Sequence, residues 1–136
     1  MQVLQKTQTI VRYQRHNGDV YYGMVEDDEI LQLSSNFTDI VNNELKYDGS
    51  RVKYNDVKIL EPVVPSKVVN FGWTYVEHAK ETGGKANLKE PFLFLKPTSS
   101  VIPNQGEIIL PSSDLTTQVE MEGEVALVIG KRCKYI

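Results

Sequence analysis

Three carboxylates at alternate positions, Glu120, Glu122 and Glu124, lie beside the apolar run Val125-Ala126-Leu127-Val128-Ile129. On an extended strand the side-chain period is two, so all three project from one face. Like charges held that close raise one another's pKa and are costly to desolvate without a partner. A divalent cation removes the repulsion, and hard oxygen ligands of this kind suit Mg²⁺ or Mn²⁺ and, less specifically, Ca²⁺. The same spacing also suits a solvated strand end whose alternate residues are merely polar.

A second constellation is His78-Ala79-Lys80-Glu81. On a helix His78 and Glu81 are i, i+3 neighbours, so the carboxylate can hold one imidazole nitrogen while the other faces substrate or water. That arrangement makes a general base; its plainer counterpart is an exposed histidine with a surface ion pair. Lys96, closing the apolar stretch Phe92 to Leu95, either aims its ammonium at an anionic substrate or snorkels out of the core. Gly83-Gly84 suits a helix terminus or the hinge of a lid. Tyr13, Tyr21, Tyr22 and Trp73 read as packing residues.

These groups need elements to position them. From Thr9 to Leu33 the pattern is strand, turn, strand, turn, strand, with Asn17-Gly18 as a primed hairpin turn and Glu26-Asp27-Asp28 as the second turn. Phe37, Ile40 and Val41 follow helical spacing behind Ser34, Ser35 and Asn36, any of which could cap them. A turn at Asp48-Gly49 leads to a last strand, Val57 to Leu60. Pro62 and Pro65 then mark a boundary, leaving a small β-rich module over residues 1–61 and a second segment over 62–136. In the second segment Lys67 to Phe71 reads as a strand and Thr74 to Glu81 as a helix, with Thr74 and Glu77 at capping-box spacing. Phe92 to Lys96 reads as a buried strand. Ser100 to Ile102 and Glu107 to Leu110 read as short strands flanking a turn at Pro103 to Gly106. Gln118 to Ile129 reads as a long strand bent at Gly123.

Composition limits the partners. At 136 residues, 40% hydrophobic and with a single cysteine, the chain has neither the need nor the means for a disulfide framework. No apolar run approaches the roughly 20 residues of a spanning helix, and the first residues lack a secretory pattern, so a cytoplasmic setting is expected and a membrane is not. Fifteen basic against 18 acidic residues give a net charge of −3. Lys131, Arg132 and Lys134 are too few for a polyanion site, so nucleic acid is not the expected partner.

The segment Pro65-Ser66-Lys67 through Gly72-Trp73-Thr74-Tyr75-Val76-Glu77-His78-Ala79-Lys80-Glu81, then Phe94-Leu95-Lys96-Pro97, then Glu122-Gly123-Glu124-Val125-Ala126-Leu127-Val128-Ile129-Gly130, resembles the fumarylacetoacetate hydrolase family. The residues before Pro65 are similar to the small N-terminal domain of its bacterial members. The resemblance implies a mainly β (α+β) fold, with a small N-terminal β module followed by the first part of a mixed, barrel-like β-roll catalytic domain. It implies a metal-dependent enzyme of 2-oxo acids, acylpyruvates or oxaloacetate-like, working through a metal-stabilised enolate by C–C hydrolysis or decarboxylation; isomerisation of 2-hydroxy-diene dioates is the alternative. Carried over residue by residue, Glu122 and Glu124 match the Mg²⁺ or Mn²⁺ ligands, His78 and Glu81 the acid–base dyad, and Lys96 a substrate-binding residue. A homodimer is expected.

Thr74 stands where asparagine is usual in the family, Trp73 where a smaller apolar residue is common, and Glu120-Met121 replaces Asp-Tyr. The resemblance also implies a third metal ligand, an aspartate, beyond Ile136, so that the chain is expected to be a truncated N-terminal portion. Two readings outside that one are an inactive chain that serves only as a dimerising subunit, and a β-rich binding module in which the motifs are chance.

Overall fold

The computed structural model describes residues 7–81, 83 and 90–135, and its contacts divide the chain after Pro62 and after Ile102. Residues up to Pro62 group with those from Pro103 onward, and Val63–Ile102 form the second unit. The architecture is mainly β, and no helix among the described residues is long and apolar enough to cross a membrane.

In the first unit β1 (Ile10–Gln14), β2 (Val20–Glu26) and β3 (Glu29–Leu33) form an antiparallel meander. The turns differ in detail from the expected ones. Gly18 takes a φ of +92° but Asn17 stays at negative φ, and the Gly18 N–H donates to the Arg15 carbonyl at 2.9 Å. The loop is thus an ordinary turn closed by a left-handed glycine rather than a primed two-residue turn. At the second turn Asp27 is left-handed, with φ +53°.

Of the three candidate caps, Asn36 caps α1 (Phe37–Val41). Its side chain accepts from the Asp39 N–H at 3.0 Å and the Asp39 carboxylate accepts in return from the Asn36 N–H, a reciprocal box. Asp48-Gly49 is not a turn between strands. It lies inside β4 (Tyr47–Lys53), where the register against β3 shifts and Gly49, at φ +89°, absorbs the bulge. A 3-10 turn, Tyr54–Asp56, leads to β5 (Lys58–Ile59), which returns to pair with β1. The sheet order β4-β3-β2-β1-β5 carries the chain from one edge to the other through that single turn.

The core collects under the middle strands. Tyr13 and Ile30 are fully buried and Leu33 nearly so. Gly23, opposite Val11 and Gln32, makes this possible: a Cβ there would run into the Ile30 side chain and stand 2.9 Å from the Leu31 carbonyl.

Two carboxylates tie the module to pH. Glu61 is held below the usual carboxylate range by its own backbone N–H and then by Arg12, whose Nη1 lies 2.7 Å from Oε1. Asp48 is lowered chiefly by the Ser50 backbone N–H and also by the Gln32 amide. A depressed folded pKa stabilises the fold above the unfolded value, and that contribution is lost as pH falls through the folded value. The module should therefore lose stability below about pH 4, and Glu61→Gln should flatten that acid limb in urea melts taken across pH.

In the second unit β6 (Val68–Gly72) pairs antiparallel with β7 (Phe92–Lys96), and α2 (Val76–Glu81) follows β6. The expected burial of Phe92–Leu95 is not realised: all four side chains are exposed, Leu95 at 71%. A two-stranded ribbon buries a face only when another layer covers it. The expected strands Ser100–Ile102, Glu107–Leu110 and Gln118–Ile129 are also absent. Residues 98–100 form a 3-10 turn and the others are irregular. The turn at Pro103 to Gly106 is present, closed by a 2.9 Å bond from the Gly106 N–H to the Pro103 carbonyl.

Candidate active site

The acid–base candidates ride on α2. The Tyr75 carbonyl accepts from the Ala79 N–H at 3.0 Å, which makes Tyr75 the cap residue and leaves Thr74 one position outside the capping box its spacing suggested. His78 and Glu81 stand i, i+3 on this single helix, with His78 partly buried, Glu81 exposed and Ala79 between them packed to 1% exposure. Gly83, at φ +72°, closes the helix through a 3.1 Å bond from its N–H to the Lys80 carbonyl. Its partner Gly84 lies outside the described residues.

The step into the helix is unusual. Trp73 adopts a φ of +54°, a region bulky residues rarely enter, which costs on the order of 1–3 kcal/mol. In that conformation its indole stacks on Phe92, with centroids 5.9 Å apart, and Phe92 in turn meets Phe94. Gly72 permits the approach, since a Cβ there would stand 2.8 Å from the Phe92 ring. Trp73, expected as a packing residue, packs on Phe92 and remains 47% exposed. Lys96 closes β7 on the same face as Phe92 and Phe94, its ammonium 6.0 Å from the Phe94 ring centroid.

The carboxylate trio lies in irregular backbone of the first unit, so the alternation that would put Glu120, Glu122 and Glu124 on one strand face is not realised. Strand geometry there needs a hydrogen-bonding partner, and none of the described strands pairs with residues 118–129. Glu120 accepts from the Gln118 amide at 2.5 Å, while Glu122 and Glu124 are exposed on either side of Gly123. The adjoining apolar residues, expected to be buried, are open as well: Val125 is 77% and Leu127 85% exposed. Among the described residues no three acidic, histidine or cysteine side chains converge as a ligand cluster. Two carboxylates nevertheless fit a hard divalent ion in donor chemistry, with water completing the shell.

The structure thus brings His78 and Glu81 together on one helix with Lys96 in the same unit, and Glu122 beside Glu124 in the other unit. Sequence spacing gave no sign of the left-handed Trp73, because a positive φ at a bulky residue follows from tertiary contacts.

A family described as "Fumarylacetoacetate (FAA) hydrolase C-terminal" matches residues 67–136, and one described as "Rv2993c-like, N-terminal" matches residues 9–62. The chain belongs to the fumarylacetoacetate hydrolase family.

An uncharacterised protein from Archaeoglobus fulgidus is 38% identical over 120 residues, which cover 88% of this chain and 42% of that protein. The human mitochondrial oxaloacetate tautomerase FAHD2B is 40% identical over 84 residues, 61% of this chain and 26% of that one. This family chain thus spans less than half the length of either relative. Among solved structures, 5-carboxymethyl-2-hydroxymuconate delta-isomerase from Mycobacterium smegmatis shares the fold, with a TM-score of 0.54 at 23% identity over 71% of this chain and 35% of that one.

Proposed function

We infer that this chain supplies part of the active site of a divalent-metal-dependent enzyme that forms an enolate from a 2-oxo acid of the acylpyruvate or oxaloacetate type. The observation that carries the reading is the order His78–Glu81, Lys96, Glu122–Glu124 within the matched segment 67–136, with the first pair on one helix. The human relative is an oxaloacetate tautomerase, and tautomerisation is a proton transfer next to a carbonyl; hydrolysis or decarboxylation of the neighbouring C–C bond passes through the same enolate.

Glu122 and Glu124 would hold Mg²⁺ or Mn²⁺. When bound, the ion would polarise the 2-oxo carbonyl and stabilise negative charge developing on its oxygen. His78 takes the proton from the carbon beside that carbonyl, or from the attacking water in a hydrolytic reaction, and returns it later. Glu81, one helical turn on, orients the imidazole. Lys96 holds the substrate carboxylate, and the aromatic row of Trp73, Phe92 and Phe94 beside it favours an apolar substrate tail. A homodimer is the proposed assembly and the cytoplasm the proposed setting.

The test is tautomerisation of enol-oxaloacetate by the whole protein, followed in the ultraviolet with and without Mn²⁺. His78→Asn should lower kcat by roughly 10² to 10⁴ with KM nearly unchanged. An unchanged kcat removes His78 from the mechanism.

A further inference from the structure

The β6–β7 ribbon has two unlike faces. Its register places Val68 with Lys96, Asn70 with Phe94 and Gly72 with Phe92 on one face, and Val69 with Leu95 and Phe71 with Leu93 on the other. The second face is wholly apolar and its four side chains are open, which suits a covering layer of protein. The first carries aromatic rings, an amide and an ammonium, the mixture that holds a small ligand with an apolar body and a polar end.

On that face the rings form a row. The Trp73 and Phe92 centroids are 5.9 Å apart, those of Phe92 and Phe94 6.2 Å, and Lys96 Nζ stands 6.0 Å from the Phe94 centroid. Each ring touches its neighbour yet stays open, with Trp73 47%, Phe92 59% and Phe94 39% exposed. Half-open ring faces accept a further ring by offset stacking, and the ammonium at the end of the row selects an acid over an amine. Trp73 joins the row from a left-handed backbone, φ +54°, and strain of that kind persists where a site uses it. Phe92 and Lys96 stand at opposite ends of β7, about 13 Å apart along the strand, so an acid held at Lys96 needs an arm of several bonds to bring its ring onto Phe92 and Trp73.

We propose that this face is the tail subsite of the enolate site and that the substrate is a 2-oxo acid bearing an aromatic ring, with Lys96 on its carboxylate and the Trp73–Phe92–Phe94 row against the ring. The proposal rests on the enolate reading and narrows it from acylpyruvates in general to aroylpyruvates.

Trp73 is the only tryptophan of the 136-residue chain, so its emission reports on the row directly. The probes are 4-phenylbutyrate, whose carbon chain matches that of an aroylpyruvate, with 4-cyclohexylbutyrate, butyrate and 4-phenylbutanol, all titrated at equal ionic strength. Phenylbutyrate should change Trp73 emission saturably, cyclohexylbutyrate should bind about threefold or more weakly, and butyrate should leave the emission unchanged. Phenylbutanol should bind more weakly than phenylbutyrate, a difference that Lys96→Gln removes. Phe92→Leu, which keeps apolar surface at an exposed position, should weaken phenylbutyrate binding about threefold or more. In the whole protein kcat/KM should be about tenfold higher for benzoylpyruvate than for acetylpyruvate, and Phe92→Leu should narrow that ratio.

The proposal is overturned if cyclohexylbutyrate binds as tightly as phenylbutyrate, if quenching is linear rather than saturable, if Phe92→Leu leaves phenylbutyrate binding unchanged, or if acetylpyruvate is turned over as well as benzoylpyruvate. Saturable, ring-dependent binding without turnover of either acylpyruvate supports the subsite and contradicts the enolate chemistry instead.

Discussion

Glu122→Ala in the whole protein is expected to lower Mn²⁺ affinity by about 100-fold or more and to abolish turnover of 2-oxo acids at micromolar metal. Loss of a partner that merely orients a ligand costs 10–100-fold, so loss of the ligand itself sets a higher floor. Removing Glu122 takes one oxygen ligand and one negative charge from the site, and a hard divalent ion is held more weakly with each carboxylate lost. Isothermal titration with Mn²⁺ separates the two effects. An intact affinity with lost turnover would make Glu122 a substrate contact, and an intact affinity with intact turnover would remove it from the site. Because Glu122 is exposed in irregular backbone, the substitution should leave thermal stability within a degree or so of the parent, which keeps the result interpretable.

Ile30→Ala should destabilise the N-terminal module by about 2–5 kcal/mol. Ile30 is fully buried, sits opposite Val25 on β2 and Val52 on β4, and fills the space left by Gly23. The sheet has few other buried side chains with which to compensate, and Gln32, Ser35 and Tyr13 bring polar atoms that have fixed partners. Urea denaturation followed by tyrosine fluorescence measures the loss. Ile30→Val should cost only about 0.5–1.5 kcal/mol. A small effect of Ile30→Ala, comparable with that of Ile30→Val, would mean that the core lies elsewhere.

The contrast between these two positions shows what the sequence could express. Ile30 belongs to a local meander in which alternation, a glycine turn and short loops all agree, so β1 to β3 and a capped α1 followed from residues close in the chain, while the choice of Asn36 over Ser34 and Ser35 did not. Asp48-Gly49 misled because the residues that make a turn also make a bulge, and only the register of β3 against β4 distinguishes them. Gln118–Ile129 has strand composition but not a strand partner among the described residues, and extended backbone is held by its neighbour more than by its own side chains. The same dependence left Phe92–Leu95 apolar in sequence and exposed in structure.

Among the candidate site residues, the shared helix of His78 and Glu81 was legible because helical spacing is a local rule, and α2 carries both. The relation of Glu122 to Glu124 was legible only as adjacency, since the alternation argument required a strand. The Arg15–Gln32–Asp48 network escaped altogether: it joins β1, β3 and β4 through side-chain amides, and no motif marks it.

Crystals of the whole protein soaked in MnCl₂ and measured at the manganese edge address the account most directly. An anomalous peak within coordination distance of the Glu122 and Glu124 carboxylates, about 2.1–2.3 Å from their oxygens, is the predicted result. A structure at full manganese loading with both carboxylates ordered and no peak beside either would contradict the account.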